Sequence, residues 1–371
     1  VAKGAKLEEE RNEKMKAYAE AHPDLAKQFD MMQNCELPED WETIIPEFPA
    51  DAKGLATRES SSKILNTIAD KIPWFMGGSA DLGPSTKTYI KEASSFNKEN
   101  YGGRNFHFGV REHAMGAIIN GMSLSKLRPY GATFFVFSDY VRPAIRLSSL
   151  MKQPVVYIFT HDSIGVGEDG PTHQPVEHLA SLRAMPGLDV IRPSDANELS
   201  VMWKYIMGLK DRPVALVLSR QGMPTLDRSK YAPADGALKG AYVLIESDGI
   251  PDVILIGTGS EMQICLDAYE QLASEGINAR VVSMPCCSLF QSQDKEYREK
   301  VLPRSVKARI VVEAGSTFGW HGYTGREDDC GIFGLKDFGA SAPAGELYKE
   351  FGFTTERVVQ VAKNVIKKNK K

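Results

Sequence analysis

The sequence predicts an α/β chain: two doubly wound, three-layer domains with mainly parallel sheets, preceded by a helical linker. Three observations carry that expectation. Short runs rich in β-branched and aromatic residues are apolar throughout, as strands covered on both faces must be. Stretches of helical periodicity separate those runs. The series then occurs a second time, after the polar, turn-rich segment QGMPTLDRSKYAPADGALKG at 221–240.

Residues 7–22 and 23–34 read as two charged helices broken at His-Pro-Asp, with Leu25, Phe29 and Met32 on one face. LPEDWETIIPEFPADAKG, residues 37–54, is a proline-rich connector. Strands are expected at 73–77 (PWFMG), 131–137 (GATFFVF), 154–160 (PVVYIFT), 188–192 (LDVIR) and 213–219 (PVALVLS). Helices fall near 60–70, 111–126, 139–151 and 195–209, the last with Ser194 and Asp195 as capping candidates. The second series has strands at 253–257, 279–284 and 308–313, a helix at 260–275 and a closing helix near 355–368. The expected divisions are therefore 1–50 (linker), 51–230 and 231–371, with few contacts crossing the turn-rich boundary.

At 371 residues, 42% hydrophobic and 25% charged, the chain is long enough for two or three domains. A net charge of −3 gives no global attraction to nucleic acid or an anionic membrane. No uninterrupted apolar run is long enough to span a bilayer. Five cysteines, with no CxxC and an adjacent pair at Cys286 and Cys287, suit neither a disulfide framework nor a zinc ribbon. A reducing cytoplasm is the expected setting.

Ligands of open α/β sheets bind beyond the carboxyl ends of strands. That rule singles out THDSIGVGEDGPTHQP (160–175), which begins where the strand 154–160 ends. It also singles out Arg220 after 213–219, GGSADLGPS after 73–77, and GVREHA at the head of the helix near 111. The 160–175 loop admits three readings. His161, His173, Asp169 and Glu168 could ligate a metal, although the spacing matches no compact zinc pattern. The loop could be a satisfied structural turn. Or its imidazoles and carboxylate could grip hydroxyl and phosphate oxygens, with Gly165, Gly167 and Gly170 allowing close backbone approach and Arg58 and Arg220 offering bidentate contacts.

Glu112 sits in the first turn of an apolar, small-residue helix. It is either a surface acid placed well on the helix dipole or a dry carboxylate that can share a proton with a ring nitrogen. Phe134, Phe137 and Tyr140, three residues apart, share one side if the turn after the strand is helical; such aromatics belong to a core more often than to a cofactor slot. IGTGSEM (256–262) has Met262 where a dinucleotide fingerprint needs its third glycine, and reads as a tight turn capped by Ser260. Trp320 and His321 suit packing or an interface.

HDSIGVGEDGPTHQPVE, FGVREHAMGA, GGSADL, LSRQ and VVSMP together resemble the transketolase family of thiamine-diphosphate enzymes, from about residue 5 to the C-terminus. The first motif is the most specific. Deoxyxylulose-phosphate synthases and the β-subunits of 2-oxoacid dehydrogenases share the fold and a corresponding Glu but not this loop. Dihydroxyacetone synthase, a close variant, fits the same motifs. The resemblance implies transfer of a two-carbon ketol unit from a ketose phosphate to an aldose phosphate, in the pentose phosphate pathway. It implies that Glu112 would hydrogen-bond the cofactor's aminopyrimidine ring, that Phe134, Phe137 and Tyr140 would line the pyrimidine pocket, and that Asp81 would lie near the cofactor. His161, Arg58, Arg220 and Ser85 would bind the sugar phosphate, Asp169 would read a hydroxyl, and His173 would stabilise or protonate oxygens near the reacting carbons.

Family members hold the diphosphate and a divalent metal, Mg2+ or Ca2+, through a GDG motif and a later Asn in an N-terminal domain. No GDG occurs in this sequence. The chain is therefore expected to be a truncated transketolase, its pyrimidine-binding and C-terminal domains only, inactive alone and without metal ligands of its own. The family's sites lie between two subunits, so a homodimer is implied. Two readings from other classes remain: a metal-dependent hydrolase using His161, His173 and Asp169, and a non-catalytic binding module.

Overall fold

A computed structural model describes residues 1–325 and 331–369; Cys330 lies outside them. Its strands are β1 (Asp51–Ala56), β2 (Phe75–Ser79), β3 (Asn105–His107), β4 (Arg128–Phe134), β5 (Val156–Thr160), β6 (Asp189–Ile191), β7 (Val214–Leu218), β8 (Gly222–Thr225), β9 (Tyr242–Ile245), β10 (Val253–Gly257), β11 (Ala279–Ser283), β12 (Arg309–Ser316) and β13 (Gly331–Leu335). Six of them form a wholly parallel sheet in the order β3-β2-β4-β5-β7-β6. Five form a second sheet, β13-β12-β10-β11-β9, parallel except where β9 runs against β11. β1 and β8 make a separate antiparallel pair.

The strands are apolar on both sides because each side meets a different core. In β5, Val156 and Ile158 join one buried cluster while Tyr157 and Phe159 join another. In β10, Val253 and Leu255 face the first cluster, and Ile254 and Ile256 a third. This is the period-two alternation of a strand with helices above and below.

Asp195 caps the helix Ala196–Gly208, accepting from the Glu198 amide at 2.8 Å. The helix Ala2–Ala21 buries none of its residues, and Pro23–Gln33 buries only Ala26. Leu25 is exposed, unlike the face expected of it: the side of the helix that packs inward carries Ala26, and Met31 and Met32 pack against the first cluster. The expected strand 131–137 lies three residues earlier and gives way after Phe134 to a 3₁₀ turn, Phe135–Phe137. Ser260 is no cap: the helix Met262–Ser274 has no side-chain cap, and the Ser260 hydroxyl donates instead to Glu261 Oε1 at 2.8 Å. Trp320 is buried, with Nε1 donating to Glu313 Oε2 at 2.7 Å, while His321 is exposed.

Candidate active site

The carboxyl ends of β2, β4, β5 and β7 are neighbours in the six-stranded sheet, and the residues just beyond them meet. The 3₁₀ turn after β4 sets Phe134, Phe137 and Tyr140 in one row. The Phe134 and Phe137 rings lie 6.1 Å apart at 10°, and Phe137 and Tyr140 lie 6.1 Å apart at 40°. From β5, His161 places its ring 3.7 Å from that of Phe134. His173 brings its ring to 5.6 Å from Phe137 and 6.3 Å from Phe134.

Arg58, near the start of the helix Thr57–Lys71, reaches across to the same place. Its Nη1 donates to the Ser85 carbonyl at 2.9 Å and lies 3.4 Å from His161 Nε2. A guanidinium has no acceptor, so His161 Nε2 must accept and its proton sits on Nδ1, which is 2.8 Å from Thr160 Oγ1. Burial, then the charges of Arg58, Arg220 and His173, push the His161 pKa down to about 3. Burial and Arg220 also pull Arg58 below its ordinary value, against Glu59. Arg58 Nε is buried without an acceptor. The pocket thus gathers two guanidiniums and a neutral imidazole, with donors unspent.

Glu112 stands at the head of the helix Glu112–Leu124, 7% exposed, and accepts from Thr133 Oγ1 at 3.4 Å. Thr133 precedes Phe134, so the carboxylate and the aromatic row share the end of β4. The exposed Asp81 and Asp169 make no hydrogen bond or ion pair with these groups among the described residues; Asp81 follows β2 with a left-handed φ of 63°. The metal reading loses its footing. Among the described residues, the ligand atoms of His161, His173, Asp169 and Glu168 form no coordinating group; the one such group is Asp139, Glu177 and His178.

Sequence reasoning missed Thr133, Thr160 and the buried residues beneath the loop, Asp162, Arg192 and Glu261. Thr133 and Thr160 could have been found as the polar residues at or next to the carboxyl ends of β4 and β5. The ionic partners are far apart in sequence and carry no local signal.

The depressed His161 pKa ties the chain's stability to pH. The unfolded chain binds a proton near pH 6.5 that the folded chain refuses until about 3. Stability from this group is complete above pH 6.5 and is lost as pH falls toward 3, by about 1.4 kcal/mol per pH unit. Urea titrations between pH 4 and 7 should show a shallower slope for His161→Asn than for the parent; equal slopes would exclude His161 as the source.

Residues 53–225 match the model of the transketolase pyrimidine-binding domain, and 240–354 that of the transketolase-like C-terminal domain. The chloroplastic transketolase of Craterostigma plantagineum is 48% identical over 367 residues, 98% of this chain and 70% of that protein. The chain belongs to the transketolase family. The transketolase of Halalkalibacterium halodurans is 52% identical over 98% of this chain and 54% of its own length. The chain spans about half the length of most of the curated transketolases it matches. Among solved structures, Pichia stipitis transketolase in complex with sedoheptulose 7-phosphate superposes with a TM-score of 0.94 at 40% identity, over 100% of this chain and 54% of that one. A split-gene transketolase, described as an inactive β4 tetramer, gives a TM-score of 0.69 at 27% identity, over 85% of this chain and 99% of that one.

Proposed function

We propose that this chain supplies the pyrimidine and sugar side of a transketolase active site, transferring a two-carbon ketol unit from a ketose phosphate to an aldose phosphate once a diphosphate-binding half completes it. One observation carries the reading: Arg58 and Arg220 crowd a neutral His161, and Arg58 Nε lacks an acceptor. Two like charges held together with unspent donors favour a dianionic ligand, and a phosphate ester relieves both at once.

Thiamine diphosphate fits the residues present. Glu112 is buried with Thr133 as its hydrogen-bond partner, leaving acceptor capacity, and the row of Phe134, Phe137 and Tyr140 ends half-buried and exposed beside it. When bound, the cofactor supplies a carbon nucleophile that also serves as electron sink for breaking the ketose carbon–carbon bond. Glu112 would accept a hydrogen bond from the pyrimidine ring, the aromatic row would pack against that ring, and Asp81 would stand nearby. Arg58, Arg220, Ser85 and His161 would bind the sugar phosphate, Asp169 would take a substrate hydroxyl, and His173 would hold or deliver a proton at a substrate oxygen. Mg2+ or Ca2+ would be ligated by the diphosphate-binding half. We place the working unit as a homodimer with shared sites, in the cytoplasm, with 51–230 as pyrimidine domain, 231–371 as C-terminal domain and 1–50 as linker.

The test is reconstitution. The 371-residue chain alone should bind thiamine diphosphate poorly and show no turnover of xylulose 5-phosphate with ribose 5-phosphate. Adding a diphosphate-binding half, the cofactor and Mg2+ should restore it. Turnover by the chain alone would end the two-half reading, and none after completion would end the transferase reading. In the completed enzyme, Arg220→Ala should raise KM for phosphorylated sugars about tenfold or more, and far less for non-phosphorylated donors. Equal rises would remove Arg220 from phosphate binding.

A further inference from the structure

The C-terminal unit has no site motif of its own, yet it touches the 161–176 segment along most of its length. Arg192, at the end of β6, donates from Nε and Nη2 to Asp162 Oδ2 at 3.0 and 2.7 Å. Its Nη1 donates to the Thr258 carbonyl at 2.9 Å and pairs with Glu261. Glu261 is itself held by Tyr348 Oη at 2.6 Å, Ser260 Oγ at 2.8 Å and the Ala314 amide at 3.0 Å. Arg192's backbone is gripped as well: its amide donates to the Pro285 carbonyl at 2.8 Å, and its carbonyl accepts from the Gly259 amide at 3.2 Å. Gly259, with φ of +56°, is required here, because a Cβ would stand 2.5 Å from Arg192 Cζ.

The far end of the segment is tied to the same unit. Gln174 Nε2 donates to the Ala340 carbonyl at 2.8 Å and to the Gly167 carbonyl at 2.9 Å. Ser341 Oγ donates to the Glu168 carbonyl at 2.5 Å, and the Ser316 amide to the Val176 carbonyl at 2.8 Å. His161 immediately precedes the first of these tied residues, and His173 lies between them. His161 adopts a left-handed φ of 64° and is 3% exposed. Its neighbour Asp162 is the one that Arg192 holds.

We propose that the C-terminal unit serves the reaction by clamping the 161–176 segment, with Arg192, through Asp162, as the positioning residue of His161. The clamp is geometric; its effect on substrate rests on the sugar-phosphate reading above. Loosening it should weaken the hold on a sugar phosphate while leaving in place the backbone that carries Glu112 and the aromatic row: the helix Glu112–Leu124, β4, the 3₁₀ turn after it and the helix Ser138–Leu150.

Hydrogen exchange on the 371-residue chain and kinetics on the completed enzyme test the two parts separately. Glu261→Gln weakens the ion pair; Tyr348→Phe removes one hydroxyl and keeps the ring, and serves if the first variant does not fold. Exchange in peptides covering 161–176 should quicken about tenfold, while β5 and β7 stay protected. In the completed enzyme, KM for xylulose 5-phosphate should rise about tenfold, with affinity for thiamine diphosphate unchanged. Unchanged exchange in both variants, or quickening spread evenly over both sheets, overturns the clamp. Quickened exchange with KM unmoved overturns the positioning role of Arg192. Quickened exchange in an assembly that shows no transfer keeps the clamp and removes the sugar-phosphate reading.

Discussion

Glu112→Gln is expected to lower kcat of the completed enzyme by about 10²–10⁴, the usual worth of a positioned proton-transfer group. The substitution keeps the shape of the side chain and its Thr133 neighbour, so the helix Glu112–Leu124 should persist. What it removes is one carboxyl oxygen of a side chain that is 7% exposed at the head of a helix, beside the aromatic row. Affinity for thiamine diphosphate should fall much less than kcat, because Phe134, Phe137 and Tyr140 are untouched. Single-turnover kinetics with xylulose 5-phosphate would measure it. A rate within a factor of about three of the parent would take Glu112 out of proton transfer.

Arg192→Leu should cost about 3–5 kcal/mol of folding stability, the penalty for stranding buried charges. Asp162 and Glu261, both essentially inaccessible, would lose the guanidinium that lies between them. The intact triad is not worth that much, since desolvation offsets most of the attraction. The loss is large because one partner leaves and two acids stay. Equilibrium urea unfolding would read it, and a loss below about 1 kcal/mol would mean that water or a rearranged donor takes the place of the guanidinium.

The fold was legible because its strands are short, apolar on both faces and regularly spaced by helices. PVVYIFT and VILIG are short and rich in β-branched residues, which favours buried strands over helix. β8 was not legible: GMPT contains proline and little that is β-branched, and it exists only as the antiparallel partner of β1. β3, three residues long, sits at the sheet edge and is as hard to see. At the site, the strand-end rule singled out His161 and the helix head that carries Glu112, but not Arg58 or the aromatic row, whose spacing alone reads as core. It could not supply the second layer. Asp162, Arg192 and Glu261 are 30 and 69 residues apart and meet only after two sheets have docked, so nothing local announces them.

The first buried cluster does not stop at a boundary. It runs from Ile158 and Leu216 of one sheet through Trp203 to Leu255, Val281 and Val358 of the other. A protease cutting the turn-rich stretch after β8 would therefore sever the covalent path and free neither piece. Each would remain seated on the other's oily side, and the nicked molecule would melt as a single body.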